Sequence, residues 1–115
     1  VDDANAIDPA QDGATLEHHP LFPERTNVEF CSINPDGTIR MRVWERGVGV
    51  TMACGSGACA VVVAFARQGK VARNTQVHLD GGTLDIDWRE DGVWMTGPAT
   101  HVFDGTLDIA RLLGR

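Results

Sequence analysis

The chain has 115 residues, 43% hydrophobic and 23% charged, the balance of one globular domain with its own core rather than of a disordered tail. A net charge of −6 and a pI of about 5.0 exclude a nucleic-acid groove, which needs clustered Lys and Arg. They leave room for an anionic small substrate held by local donors.

Val1 to Asn5 reads as the tail of a strand leading into a polar linker with Asp8-Pro9. The Val1-Asp2-Asp3 start is neither a signal nor a transit sequence, and without an initiator Met the chain is expected to be a processed product or a fragment. A short helix is predicted over Ala14 to His19, stopped by Pro20 and Pro23. Asn27 to Ile33 and Thr38 to Trp44 are β-rich runs joined by the turn Asn34-Pro35-Asp36-Gly37. Alternation puts Ile39, Met41 and Val43 on one face and Arg40 and Arg42 on the other. Glu45 to Met52, rich in Gly, is predicted irregular.

From Cys54 to about Gln68 the residues are small and apolar all round, as in a helix buried on every side, with Gly69 as the residue that ends it. Gln76 to Asp80, Thr83 to Trp88, Val93 to Thr96 and Thr100 to Leu107 form a predicted meander broken at Gly81-Gly82, Asp91-Gly92 and Gly97-Pro98. Ala110 to Leu113 closes the chain as a helical turn. The pattern describes strands wrapped around one hydrophobic helix. No apolar run approaches the ~20 residues of a membrane helix.

Cys31, Cys54 and Cys59 make neither a secreted disulfide framework nor a zinc spacing, and the histidines are spread over the chain: His18 and His19 end the first predicted helix, while His78 and His101 fall on separate predicted strands. No metal is expected, and the reducing cytoplasm is the simplest compartment. The chemistry concentrates at Glu45-Arg46-Gly47-Val48-Gly49-Val50-Thr51-Met52-Ala53-Cys54-Gly55-Ser56-Gly57. Cys54 opens the helix, where free N–H groups and the macrodipole favour a thiolate. Gly55, Ser56 and Gly57 leave backbone N–H groups open to a carboxylate. A thiolate beside a carboxylate nest suits removal of a proton from the carbon next to that carboxylate. Cys59, in all-apolar surroundings, reads instead as a buried helix cysteine. Counted as a continuous helix, five residues set it about 140° around from Cys54.

This segment resembles the second signature of the diaminopimelate epimerases, Glu-Arg-Gly-x-Gly-Glu-Thr-x-Ala-Cys-Gly-Thr/Ser-Gly. The likeness continues through His19-Pro20-x-Phe22-Pro23-x-Arg25-x-Asn27-Val28-Glu29-Phe30 and Arg42-Val43-Trp44, and more loosely through Gly81-Gly82 and Met95-Thr96-Gly97-Pro98-Ala99. The resemblance implies an α+β fold, residues 1–115 forming the C-terminal lobe of a two-lobed enzyme, with antiparallel strands around a central helix. It implies cofactor-independent epimerisation of LL- to meso-diaminopimelate by two cysteines, one of them Cys54. Asn27, Glu45 and Arg46 would contact the amino-acid substrate, Gly55 and Ser56 would hold its carboxylate, and Glu45 would also tune the thiol's proton affinity. The implied partners are the N-terminal lobe of the same enzyme and, for the whole enzyme, a second copy in a homodimer. No membrane or nucleic acid is involved.

The sequence departs from the family pattern at Val50, where an acidic or amide residue is usual. The family's other cysteine motif and its Asn-Pro-His segment do not occur here, so the chain alone is expected to be inactive. Without the resemblance, Asn27 and Glu29 read equally as strand-edge polars and Glu45-Arg46 as a surface ion pair. The rivals are a racemase or isomerase of another amino acid on the same fold, a non-catalytic half-domain, and a cysteine hydrolase. A papain-type hydrolase places its His about 130–150 residues after the nucleophile, beyond Arg115. A pyridoxal-phosphate racemase needs a Schiff-base lysine, and the sole lysine, Lys70, follows the helix-ending Gly69.

Overall fold

A computed structural model describes residues 1–115. Asp8 caps a helix that begins at once with Pro9: its carboxylate accepts the Ala10 N–H at 3.0 Å. This helix, α1, runs Pro9–Glu17. It therefore starts earlier than the sequence pattern indicated, because Asp-Pro is an N-cap and first-turn pair as readily as a linker. The first residues do not form a strand; Ala4–Ala6 is a single 3-10 turn.

Strands β1 (Val28–Ile33) and β2 (Ile39–Glu45) form the expected hairpin, with Cys31 opposite Met41 and Val28 opposite Trp44. The next segment is more regular than anticipated. Gly49–Thr51 folds back on β2 as a short strand, β3, with Glu45 opposite Gly49. Helix α2 (Gly55–Arg67) then crosses over to β4 (Asn74–Leu79), β5 (Gly82–Arg89) and β6 (Gly92–Thr96). Because a helix intervenes, β4 returns parallel to β2, pairing Ile39 with Val77; every other pair is antiparallel. The order β1-β2-β4-β5-β6 makes one mixed sheet, and the architecture is α+β.

The core lies between α2 and one face of this sheet. Ile39, Met41 and Val43 of β2 meet Val77 and Leu79 of β4, Ile86 of β5, and Ala58, Val61 and Val62 of α2. Burying each such Val, Leu or Ile contributes about 1.5–3 kcal/mol. Helix α2 ends as the sequence indicated, at Gly69 with φ 69, where the Lys70 N–H reaches Phe65 O and the Gly69 N–H reaches Ala66 O. Its apolar character does not mean cover on every side: Ala60 and Ala64 remain exposed. Arg40 and Arg42 lie on the opposite sheet face, both ion-paired to Asp80, and α1 and the 3-10 turn pack there. Burial pushes the Asp80 carboxyl up, but the two guanidiniums prevail and hold it below the usual range.

Thr100 to Leu107 does not form the fourth strand of the meander. Val102, Phe103 and Leu107 are exposed and no strand lies beside β6 to complete the pairing, so alternation alone has nothing to bond to. A closing turn, α3 (Ile109–Leu112), follows. No helix is long and apolar enough to cross a membrane.

Candidate functional site

The site is assembled where the β2–β3 hairpin returns the chain to the start of β1. Gly47 and Gly49 take φ of 73 and 102, which lets the chain reverse within the few residues between Glu45 and Gly49. The reversal leads through Met52 and Ala53 to Cys54, whose backbone is still extended (φ −142, ψ 103) and whose carbonyl accepts the Ala58 N–H at 3.0 Å. Cys54 is thus the N-cap of α2. Its side chain makes no capping bond, so the first N–H groups of the helix are not quenched by their own cap.

The Cys54 Sγ, in a residue only 7% exposed, has two polar neighbours. Asn27 Nδ2 donates to it at 3.9 Å, and Ser56 Oγ lies 3.5 Å away. Asn27 uses its other amide atom as well: Oδ1 accepts the Arg46 N–H at 2.8 Å. One side chain therefore links the thiol to the Glu45-Arg46 turn. The Glu45 carboxylate accepts from Thr51 Oγ1 at 2.5 Å, and the Arg46 guanidinium donates to Glu24 O at 3.2 Å. The structure thus gathers Asn27, Cys54, Gly55, Ser56 and the Arg46 backbone around one sulfur. The side chains of Glu45 and Arg46 are engaged by Thr51 and by the Glu24 carbonyl. Met95 borders the site, its Sδ 2.8 Å from where a Cβ on Gly55 would stand.

Glu29 sits on the core face of β1, opposite Val43. Its Oε1 lies 2.6 Å from the position a Cβ on Gly57 would occupy, and Cys54 Sγ lies 3.2 Å from that same point. Burial pushes the Glu29 carboxyl up; its own backbone N–H pulls the other way, and the nearby Glu45 charge pushes it further up. Cys31 points into the core beside Met41, where burial, then the Glu29 charge, raise its thiol to about 12 against the pull of the N-terminal ammonium. Cys59 packs at the margin of the core, and burial, followed by the charge of Cys54, pushes its thiol up. An apolar groove of about 380 Å³ between β1 and the open side of α2, lined by Phe30, Ala60, Ala64 and Phe65, does not include Cys54.

Sequence reasoning missed Glu17, and it gave no role to Thr51 although that residue lies inside the segment 45–57. Glu17 receives the Trp44 indole N–H at 2.7 Å and the Gly47 N–H at 2.9 Å. Neither contact leaves a local signal, since the partners are 27 and 30 residues away.

A family model described as diaminopimelate epimerase matches residues 1–102. The diaminopimelate epimerase of Phocaeicola vulgatus is 57% identical over 111 residues, which cover 95% of this chain and 40% of that protein. That of Rhodospirillum centenum is 53% identical over 115 residues, 99% of this chain and 40% of that protein. The chain spans about two-fifths of the length of the curated relatives it matches. Among solved structures, a Bacillus anthracis phenazine biosynthesis protein of the PhzF family is similar with a TM-score of 0.57. That match covers 81% of this chain and 31% of the other at 19% identity, a likeness of fold alone.

Proposed function

The chain belongs to the diaminopimelate epimerase family, and on that premise we propose that residues 1–115 belong to the C-terminal lobe of a two-lobed, cofactor-independent epimerase. It interconverts LL- and meso-diaminopimelate, with Cys54 as one of two thiols that flank the substrate α-carbon. The N-terminal lobe supplies the other thiol, and the whole enzyme acts in the cytoplasm, as a homodimer.

The observation that carries this reading is a sulfur at a helix N-terminus whose side chain leaves the helix uncapped. A substrate carboxylate seated on the Gly55 and Ser56 N–H groups has its α-carbon beside that sulfur. One thiolate then takes the α-proton: the C–H bond breaks, its electron pair stays on carbon conjugated with the carboxylate, and an S–H bond forms. The opposite thiol gives its own proton to the other face and is left as thiolate. Asn27 orients the sulfur and the Arg46 backbone together, Glu45 and Arg46 contact the substrate, and Glu45 also tunes the thiol's proton affinity. Cys31 points into the core and Cys59 to its margin, so this chain by itself holds one of the two thiols and is inactive.

The test is α-deuteration of each isomer in deuterated water, using the full-length enzyme and its Cys54→Ser and Cys59→Ser variants. Cys54→Ser should lower interconversion by about 10²–10⁴-fold, the weight of one proton-transfer group, while exchange of one isomer persists weakly through the other thiol. Cys59→Ser should alter stability more than turnover. Near-normal interconversion by a folded Cys54→Ser enzyme would remove Cys54 from the mechanism.

A further inference from the structure

Glu17, the last residue of α1, is 2% exposed. A buried carboxylate is costly unless its oxygens are met by donors. Here both are met. Oε2 accepts the Trp44 Nε1–H at 2.7 Å, Oε1 accepts the Gly47 N–H at 2.9 Å, and Arg25 Nη1 stands 3.7 Å from Oε1. The Trp44 bond does most to keep the carboxyl below its usual range; burial opposes it, and Gly47, His18 and Arg25 assist.

The arrangement of these donors is informative. Trp44 and Gly47 bracket Glu45-Arg46 in the chain, so one carboxylate grips that turn at both ends. Gly13, one helical turn before Glu17, lies against the Trp44 side chain and brings α1 down onto it. Arg25 adopts the left-handed conformation (φ 63), which a non-glycine residue keeps only where its surroundings fix it. That bend sits beside Glu24, whose carbonyl takes the Arg46 guanidinium. An anchor for α1 alone would need neither the Gly47 N–H nor this bend.

We propose that Glu17 is a positioning residue: its buried carboxylate clamps the Glu45-Arg46 turn and sets where those two residues stand relative to Cys54. The proposal rests on the reading above, in which Glu45 and Arg46 meet the substrate. Glu17→Gln keeps the shape and one accepting oxygen, but turns an amide N–H₂ toward one of the two donors. Trp44→Phe removes the indole donor while keeping a ring.

The experiment uses the full-length enzyme with each variant and the double variant. In Glu17→Gln, amide hydrogen exchange of residues 45–48 should accelerate about tenfold or more, the weight of a hydrogen bond to a charged group. The β2 and β4 core should keep its protection. KM for diaminopimelate should rise about tenfold with a smaller change in kcat, as expected when a group held for binding is loosened. The double variant should be no worse than the poorer single one, because both break the same clamp. Unchanged exchange in the turn overturns the proposal, as does faster exchange with unchanged KM, or a KM defect that vanishes on cooling as a lowered Tm is relieved. If the unaltered full-length enzyme does not epimerise, the functional reading fails, and the exchange measurement still decides whether Glu17 holds the turn.

Discussion

Placing a methyl group on Gly57 tests the packing around Cys54 at its tightest point. Gly57 is buried in the first turn of α2, so alanine there gains about 1 kcal/mol of helix propensity. Against that gain, the new Cβ would stand 2.6 Å from Glu29 Oε1, 3.2 Å from Glu29 Cδ and 3.2 Å from Cys54 Sγ. The first two atoms are the end of a flexible side chain, which can swing aside for about 0.5–1.5 kcal/mol in an off-rotamer position. The two contributions nearly cancel, and net stability should stay within about 1 kcal/mol of the unaltered protein. The sulfur has less freedom because it stands on the N-cap backbone. It must give way by a few tenths of an ångström, and since a 1 Å misplacement costs about 10²-fold, a loss of about tenfold in kcat/KM is expected. The assay pairs thermal melts of full-length Gly57→Ala with α-deuteration rates for each isomer. Normal turnover would refute the argument that this sulfur is held to a demanding position. A loss of several kcal/mol of stability would show that Glu29 cannot move.

Gly13→Ala should act on stability instead: its Cβ would lie 2.4 Å from Trp44 Cγ and 2.5 Å from Trp44 Cβ, atoms near the backbone that cannot swing away. Such overpacking costs about 1–3 kcal/mol, and an unshifted melting temperature would contradict it. Glu29→Gln should depend on pH with a definite sign. The folded carboxyl is raised above its unfolded value, so the native state holds the proton longer and stability falls as pH rises from the ordinary carboxylate range through the folded value. Removing the charge should therefore raise Tm near neutral pH, with the difference vanishing below about pH 4, where both states are protonated; a lower Tm at neutral pH would reverse the sign.

Much of this architecture was legible in the sequence because its causes are local. Alternation in Ile39, Met41 and Val43 marks a half-buried strand, and these residues are at most 2% exposed. Asn34-Pro35-Asp36-Gly37 closes a hairpin, Gly69 ends α2, and the run of small, mostly apolar residues beginning at Cys54 marks the helix. Thr100 to Leu107 shows the limit of that reasoning. It has the composition of a strand, but strand formation requires a neighbour's free N–H and C=O groups, which composition does not reveal. The short strand β3 is the opposite case, where a Gly-rich segment becomes regular because β2 offers it an edge.

The residues to which the proposed chemistry is assigned, a cysteine, glycines and a hydroxyl, stand together in the chain at a single helix start and could be read without a structure. How that start is held depends on contacts made across long stretches of chain. Asn27 joins Cys54 to the Arg46 backbone across 27 and 19 positions, and Glu17 reaches Trp44 and Gly47 across 27 and 30. Local propensity acts over a few residues. A buried polar side chain takes whichever donors folding brings within about 3 Å, and those are chosen by sheet register and helix docking rather than by neighbours in the chain.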